Sequence, residues 1–311
     1  MTTALLTHAD CLNHVTPEGH AERAARLRAI LAALKAPRYD ALARIEAPLG
    51  AEADILRCHP AAYLARLRQA VPEAGIVALD ADTFLSPGSL SAALRGVGAV
   101  THAADLVMAG KVRNAFCAVR PPGHHAERET AMGFCLFGSV AIGAKRLLDH
   151  HRLKRVAVVD FDVHHGNGTQ NLLWDEARTL FVSSHQMPLY PGTGDRHETG
   201  AHGNVLNLPL PPGTDGKAFR KAMEEMALPA LDDFAPEFLL ISAGFDAHRA
   251  DPLAQMELSE ADFAWVTGRL CDLAEKHAGG RVVSALEGGY DLKALAASVA
   301  AHLDVLMERG G

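Results

Sequence analysis

Short apolar runs alternating with longer segments of helical spacing constrain this chain more than any other feature. Ala115–Val119, Arg155–Val159, Thr179–Val182, Phe238–Ser242 and Arg281–Leu286 are four to six residues each and rich in β-formers. They are too short for helices and bear no polar face, as strands buried on both sides require. Between them, Leu27, Ile30, Leu31 and Leu34 recur at the spacing of one helix face. Ser91–Ala109, Gly138–Leu148, Ala218–Leu231 and Leu292–Met307 also read as helices, and Ser259-Glu260-Ala261-Asp262 reads as a helix start before Phe263 and Trp265. The pattern predicts an α/β fold: a central, mostly parallel β-sheet with helices on both faces.

The residues directly after these runs carry the functional signal. Arg120-Pro121-Pro122-Gly123-His124-His125 succeeds the first run, and Asp160-Phe161-Asp162-Val163-His164-His165-Gly166-Asn167-Gly168 the second. Ala243-Gly244-Phe245-Asp246 and Glu287-Gly288-Gly289-Tyr290 succeed two more. Open parallel sheets bind ligands outside the carboxyl ends of their strands. Four such ends bearing glycine with ionisable or hydroxyl groups predict one shared site.

The 311 residues are 49% hydrophobic and 22% charged, an ordinary globular composition, and residues 1–311 read as one domain without repeat or linker. A net charge of −7 offers no basic field for nucleic acid or anionic membrane. No stretch suits a membrane span, and the start lacks the basic region of a signal peptide. Five scattered cysteines without a C-x-x-C argue against a disulfide framework and for a reducing, cytoplasmic setting.

Asp160, Asp162 and His164 would share one face if strand geometry persisted through them. Asp and neutral His suit zinc or a similar divalent ion, and Asp246 is the natural third ligand from another strand end. Three protein ligands and an open position describe a catalytic site; a salt-bridged or capping pair is the alternative for an isolated D-x-H. His124-His125 lies on a proline-constrained turn, where adjacent histidines could act as base and acid. His150-His151, by contrast, ends a helix and gets no function. Tyr290, on a glycine turn expected to be flexible, could donate to an oxyanion.

At these residues the chain resembles the zinc-dependent histone deacetylase family of the arginase/deacetylase superfamily, closest to its class II-like bacterial branch. The matching stretches are GHAER at 19–23, DTFLSPGSL at 82–90, RPPGHHA at 120–126, GFC at 133–135, VDFDVHHGNGTQ at 159–170, YPGTGD at 190–195, SAGFDAH at 242–248, DPL at 251–253 and LEGGYD at 286–291. The resemblance implies an arginase/deacetylase-like fold. It implies Asp162, His164 and Asp246 as metal ligands for zinc, with ferrous iron the alternative. His124 and His125 would be the catalytic histidines, Asp160 oriented toward the first and Asn167 toward the second, with His125 the less polarised. Tyr290 would polarise the scissile carbonyl. Gly133, Phe134 and Tyr190 would line an acyl-lysine tunnel, with Tyr190 standing where relatives usually carry Phe, and Leu258 would border its rim. A structural potassium ion would lie near Asp160 and Ser183.

The expected activity is therefore removal of acetyl or other acyl groups from the side-chain amine of lysine in proteins or peptides. A small-molecule amidase acting on acetylpolyamines or foreign amides is the alternative, and a homo-oligomer is compatible with the loops Leu12–Glu22 and Asp80–Gly88, which would shape the entrance. A non-catalytic acyl-lysine binding module fits less well, because Tyr290, both histidines and all three ligands are present. A two-metal ureohydrolase fits least, because Asn167 stands where a second metal would want a carboxylate.

Overall fold

The computed structural model describes residues 2–311. Strands β1 (Thr3–Thr7), β2 (Ala43–Glu46), β5 (Asn114–Cys117), β6 (Val156–Asp160), β7 (Thr179–Gln186), β8 (Val205–Leu210), β9 (Phe238–Ala243) and β10 (Val282–Leu286) form one sheet, ordered β2-β1-β5-β10-β9-β6-β7-β8. Every pairing in it is parallel. β3 (Val77–Ala78) and β4 (Phe84–Leu85) make a separate antiparallel hairpin. The helices are α1 (Ala24–Ala33), α2 (Glu52–Ile55), α3 (Ala61–Ala70), α4 (Ser89–Met108), α5 (Ser139–Asp149), α6 (Asn167–Leu173), α7 (Gly216–Ala222), α8 (Leu228–Phe234), α9 (Glu260–Ala278) and α10 (Leu292–Gly310).

All five predicted runs are strands, and β5, β6, β9 and β10 are buried at every position, as their apolar sequences require. These four are also the four contiguous strands at the centre of the sheet, in the order β5-β10-β9-β6. The predicted convergence is thus a consequence of topology: the four loops leave neighbouring strands in one direction.

α9 starts at the predicted place, with Ser259 and Asp262 forming a reciprocal capping box. α10 starts immediately after Tyr290, where Asp291 accepts the backbone N–H groups of Lys293 and Ala294 at 3.0 and 2.8 Å. The stretch expected to be one helix from Ala218 to Leu231 is instead α7 and α8 joined by a wider turn at Met223–Ala227. Pro229, which lacks an N–H, sits in the first turn of α8, where no bond is asked of it. Among the described residues, no helix is long and apolar enough to cross a membrane.

Candidate active site

β6 ends at Asp160, and the chain then bends instead of continuing as a strand. Asp160 Oδ1 accepts the N–H of Asp162 at 3.0 Å, and Asp162 Oδ1 accepts the N–H of His164 at 2.9 Å. Successive turns closed by aspartate side chains, rather than strand alternation, therefore bring Asp162 and His164 together. Asp246, just beyond β9, accepts the N–H of Val163 at 2.9 Å. His164 Nδ1 lies 3.1 Å from Asp162 Oδ1 and 3.2 Å from Asp246 Oδ2. One ligand atom from each of the three lies within 4.8 Å of the others, and all three residues are buried. Two buried carboxylates beside one imidazole call for a cation, and this donor set suits a zinc-like divalent ion. Asp105, His150 and His151 form a second cluster of metal-ligand types. There Arg146 already pairs with Asp105 at 2.9 and 2.8 Å and His150 is exposed.

His124 and His125 stand side by side, ring centroids 3.9 Å apart. His124 Nδ1 lies 2.9 Å from Asp160 Oδ2, and His125 Nδ1 lies 2.7 Å from Asn167 Oδ1, matching the partners expected from sequence. Burial alone would lower the His124 pKa, but Asp162 and Asp160 outweigh it and hold the imidazole well above its ordinary value. Burial, with His124 and His164 adding like charge, presses His125 well below that value. The two histidines therefore differ in proton affinity in the direction their partners imply.

Glu287, just after β10, supports this pair from behind. It accepts the N–H groups of Gly123 and His124 at 2.6 and 3.2 Å and the hydroxyl of Ser242 at 3.1 Å. Burial pushes its carboxyl up to about 7. Ser183, on β7, is the register partner of Asp160 and places its hydroxyl 3.0 Å from His185 Nδ1.

The turn carrying Tyr290 is pinned, not the flexible hinge expected from its glycines. Gly288 donates its N–H to Asp162 Oδ2 at 2.8 Å, and Tyr290 donates its own to Asp251 Oδ2 at 2.7 Å. Arg26 donates to the carbonyls of Gly289 and Glu287 at 2.5 Å each, and its guanidinium lies 4.8 Å from the centre of the Tyr290 ring. Burial, with the Asp246 carboxylate nearby, keeps the phenol well above its usual pKa and so protonated.

Above these groups lies a cavity of about 240 Å³ lined by Asp82, His125, Gly133, Phe134, His164, Leu189, Tyr190, Leu253 and Tyr290. Its size suits a slim chain, not a bulky ligand. Phe134 stands 5.9 Å from the Tyr290 ring, and Tyr190 stands 5.3 Å from that of His125. Gly133, at φ +53, presses against the His125 ring so closely that any Cβ would collide with it. Leu258, expected at the tunnel rim, is not there. It is 0% exposed, bonds to the Ala247 carbonyl and lies away from the cavity; Leu253 takes the predicted place. A larger surface groove of about 490 Å³ holds charged residues such as Asp232 and Lys276 but no cluster of metal ligands, so size does not locate the site.

Sequence reasoning did not single out Glu287, Asp251, Asp82, Leu189 or the support given by Arg26. Leu253 and Glu287 lie within motifs already noted, and a carboxylate directly before two glycines at a strand end was a usable signal.

A wholly parallel sheet whose central strand ends gather Asp162, His164 and Asp246 beneath a narrow cavity defines the arginase/deacetylase class of α/β proteins. Within it, the chain belongs to the histone deacetylase family: the Histone deacetylase domain model matches residues 20–306. The chain is 41% identical to the Histone deacetylase-like amidohydrolase of Pseudomonas aeruginosa, over 88% of this chain and 73% of that one. It is 36% identical to the Probable deacetylase of Archaeoglobus fulgidus, over 94% and 82%. The crystal structure of the HDA15 HD domain superposes with a TM-score of 0.91 at 33% identity, covering 99% of this chain and 89% of that one.

Proposed function

We propose that this protein is a zinc-dependent amidohydrolase that removes acetyl or other acyl groups from the side-chain amine of lysine in proteins or peptides. The observation that carries the reading is the meeting of Asp162, His164 and Asp246 with His125 and Tyr290 at one narrow cavity. Asp162, His164 and Asp246 would hold the zinc, which when bound would supply Lewis-acid polarisation of the amide carbonyl and lower the pKa of bound water toward about 7. His125, the histidine of lower proton affinity, takes the proton of the attacking water. His124, whose Nδ1 faces the Asp160 carboxylate at 2.9 Å, protonates the leaving amine. Tyr290, kept protonated, donates to the oxyanion. Gly133, Phe134 and Tyr190 flank the acyl-lysine stem, with Leu253 at the rim. Asp160 and Ser183 are the groups about which a structural potassium ion would sit.

A small acylated amine is the second reading, favoured by the Asp82 carboxylate in the cavity lining, which suits a cationic substrate. Metal analysis and a substrate panel test both readings. Asp246→Ala and His164→Ala should stay folded, lose tightly bound zinc and lose all hydrolysis; near-wild-type zinc in either variant removes that residue from the ligand set. Comparing kcat/KM on acetyl-lysine peptides, trifluoroacetyl-lysine and acetylated polyamines separates the substrates. Hydrolysis of none of them overturns the function.

A further inference from the structure

The two histidines differ in what holds them. A carboxylate only accepts, so Asp160 fixes the proton of His124 on Nδ1. Asn167 gives His125 no such instruction by itself, because an amide can present either its carbonyl or its NH₂. The surroundings of Asn167 decide the matter. Its Nδ2 lies 2.8 Å from Glu127 Oε1 and 3.4 Å from Met132 Sδ. Both are acceptors. The amide must therefore turn its NH₂ toward Glu127 and its carbonyl toward His125 Nδ1, 2.7 Å away. The opposite orientation would set a carbonyl oxygen against a carboxylate oxygen at hydrogen-bond distance, which is repulsive.

The backbone is arranged to keep this contact. Glu127 and Thr130 close a tight turn with N–H to carbonyl bonds of 2.9 and 3.4 Å. Asn167 opens α6, and Asn171, one helical turn later, accepts the N–H of Arg128 at 3.0 Å. α6 thus grips the Glu127 turn at two successive levels.

We infer that Glu127 is a positioning residue: acting through Asn167, it fixes His125 as the Nδ1–H tautomer and leaves Nε2 with a free lone pair for the cavity that His125 lines. In turnover, the proton of the attacking water passes to Nε2, and Nδ1–H keeps donating to Asn167. The consequence for turnover rests on the amidohydrolase function proposed above; the tautomer itself does not.

The test uses the zinc-loaded protein as wild type, Glu127→Gln, Asn167→Asp and the double variant. A glutamine at position 127 can donate or accept, so it no longer dictates the orientation of Asn167. Glu127→Gln should lower kcat by about 10–100-fold, the scale on which lost outer partners of active-site histidines act, with KM, zinc content and melting temperature near wild type. Asn167→Asp alone sets two carboxylates in contact and should also lower kcat. In the double variant the new glutamine can donate to the new aspartate. Its kcat should recover to within a few-fold of wild type, a rescue that a merely structural role does not produce.

Nitrogen-15 spectra of histidine-labelled protein, with the His125 signal identified by its loss in His125→Gln, should show protonated Nδ1 in wild type and a mixture of tautomers in Glu127→Gln. An Nε2-protonated His125 in wild type overturns the inference. So does a double variant no better than either single one, or an unchanged tautomer in Glu127→Gln. If Glu127→Gln does not fold, the wild-type spectrum and the comparison of Asn167→Asp with the double variant give the same decision. A wild-type protein that hydrolyses no amide defeats the proposed function, while the spectra still decide the tautomer.

Discussion

Tyr290 is held by its backbone and its ring before its hydroxyl does any chemistry. Asp251 takes its N–H, Arg26 takes the preceding carbonyl, and the Arg26 guanidinium lies over the ring. Tyr290→Phe keeps all of these contacts and removes one donor. Loss of a single oxyanion donor costs about 10²–10³ in kcat, roughly 2.7–4 kcal/mol. The expected outcome is that fall in kcat with hydroxamate affinity largely kept, since the hydroxyl contributes most in the transition state. A kcat within a few-fold of wild type would remove Tyr290 from the oxyanion site. At this scale the sequence was legible where chemistry is local: Asp162, His164, Asp246 and the histidine pair declare themselves by donor type beside glycine. Arg26 and Asp251 do not, because their partners lie 263 and 39 residues away. The misplacement of Leu258 has a similar cause. Apolar character marks Leu253 and Leu258 alike, and only the path of the chain after Asp251 decides which of them meets the cavity.

Among the elements, the strands that were read include the four central ones, and those missed lie elsewhere in the sheet for identifiable reasons. β8 contains Pro209, which suppresses a strand reading, yet β8 is an edge strand where a missing N–H is tolerated. β2, at the other edge, has no fully buried position, so it lacks the apolar signature of its neighbours. β1 is five residues long and bounded by threonines. The turn after β10 yields a prediction at this scale. A Cβ on Gly288 would collide with the carboxylates of both Asp246 and Asp162. Asp246 Oδ2 can retreat only by leaving His164 Nδ1, and Asp162 Oδ2 only by giving up the Gly288 N–H. Gly288→Ala should therefore keep the fold and weaken zinc affinity by about 10–100-fold, measured by competition with a chelator. Unchanged affinity would show that the turn is not matched to the ligands.

Across the whole molecule, the element joining the entrance to the core is a buried ionic network that sequence alone left dark. Glu22 accepts two bonds from Arg120, both at 2.7 Å, and lies 3.3 Å from Arg26 and 3.4 Å from His14. Burial alone would raise its carboxyl, but Arg120 and His14 outweigh it and hold Glu22 well below the ordinary value of 4.5. A proton therefore binds the unfolded chain more readily than the folded one. The stabilisation is complete above that ordinary value and is lost as pH falls below it toward the folded-state value. Glu22→Gln strands Arg120 and should cost about 3–5 kcal/mol in urea unfolding at neutral pH. The gap between variant and wild type should narrow as pH falls below the ordinary value of 4.5. A gap independent of pH would mean that Glu22 is not charged in the folded protein.

The contiguity of β5, β10, β9 and β6 also sets an order in time. During synthesis the histidine pair emerges first, then Asp162 and His164, then Asp246, and Tyr290 last. β10 must be inserted between β5 and β9, two strands already made, before the last of these side chains reaches its neighbours. Pairings between distant segments form late, because the loops they close are long. A growing chain on the ribosome thus lacks Tyr290 at the cavity until β10 has emerged, whereas Asp162, His164 and Asp246 follow the neighbouring strands β6 and β9, which are made before it.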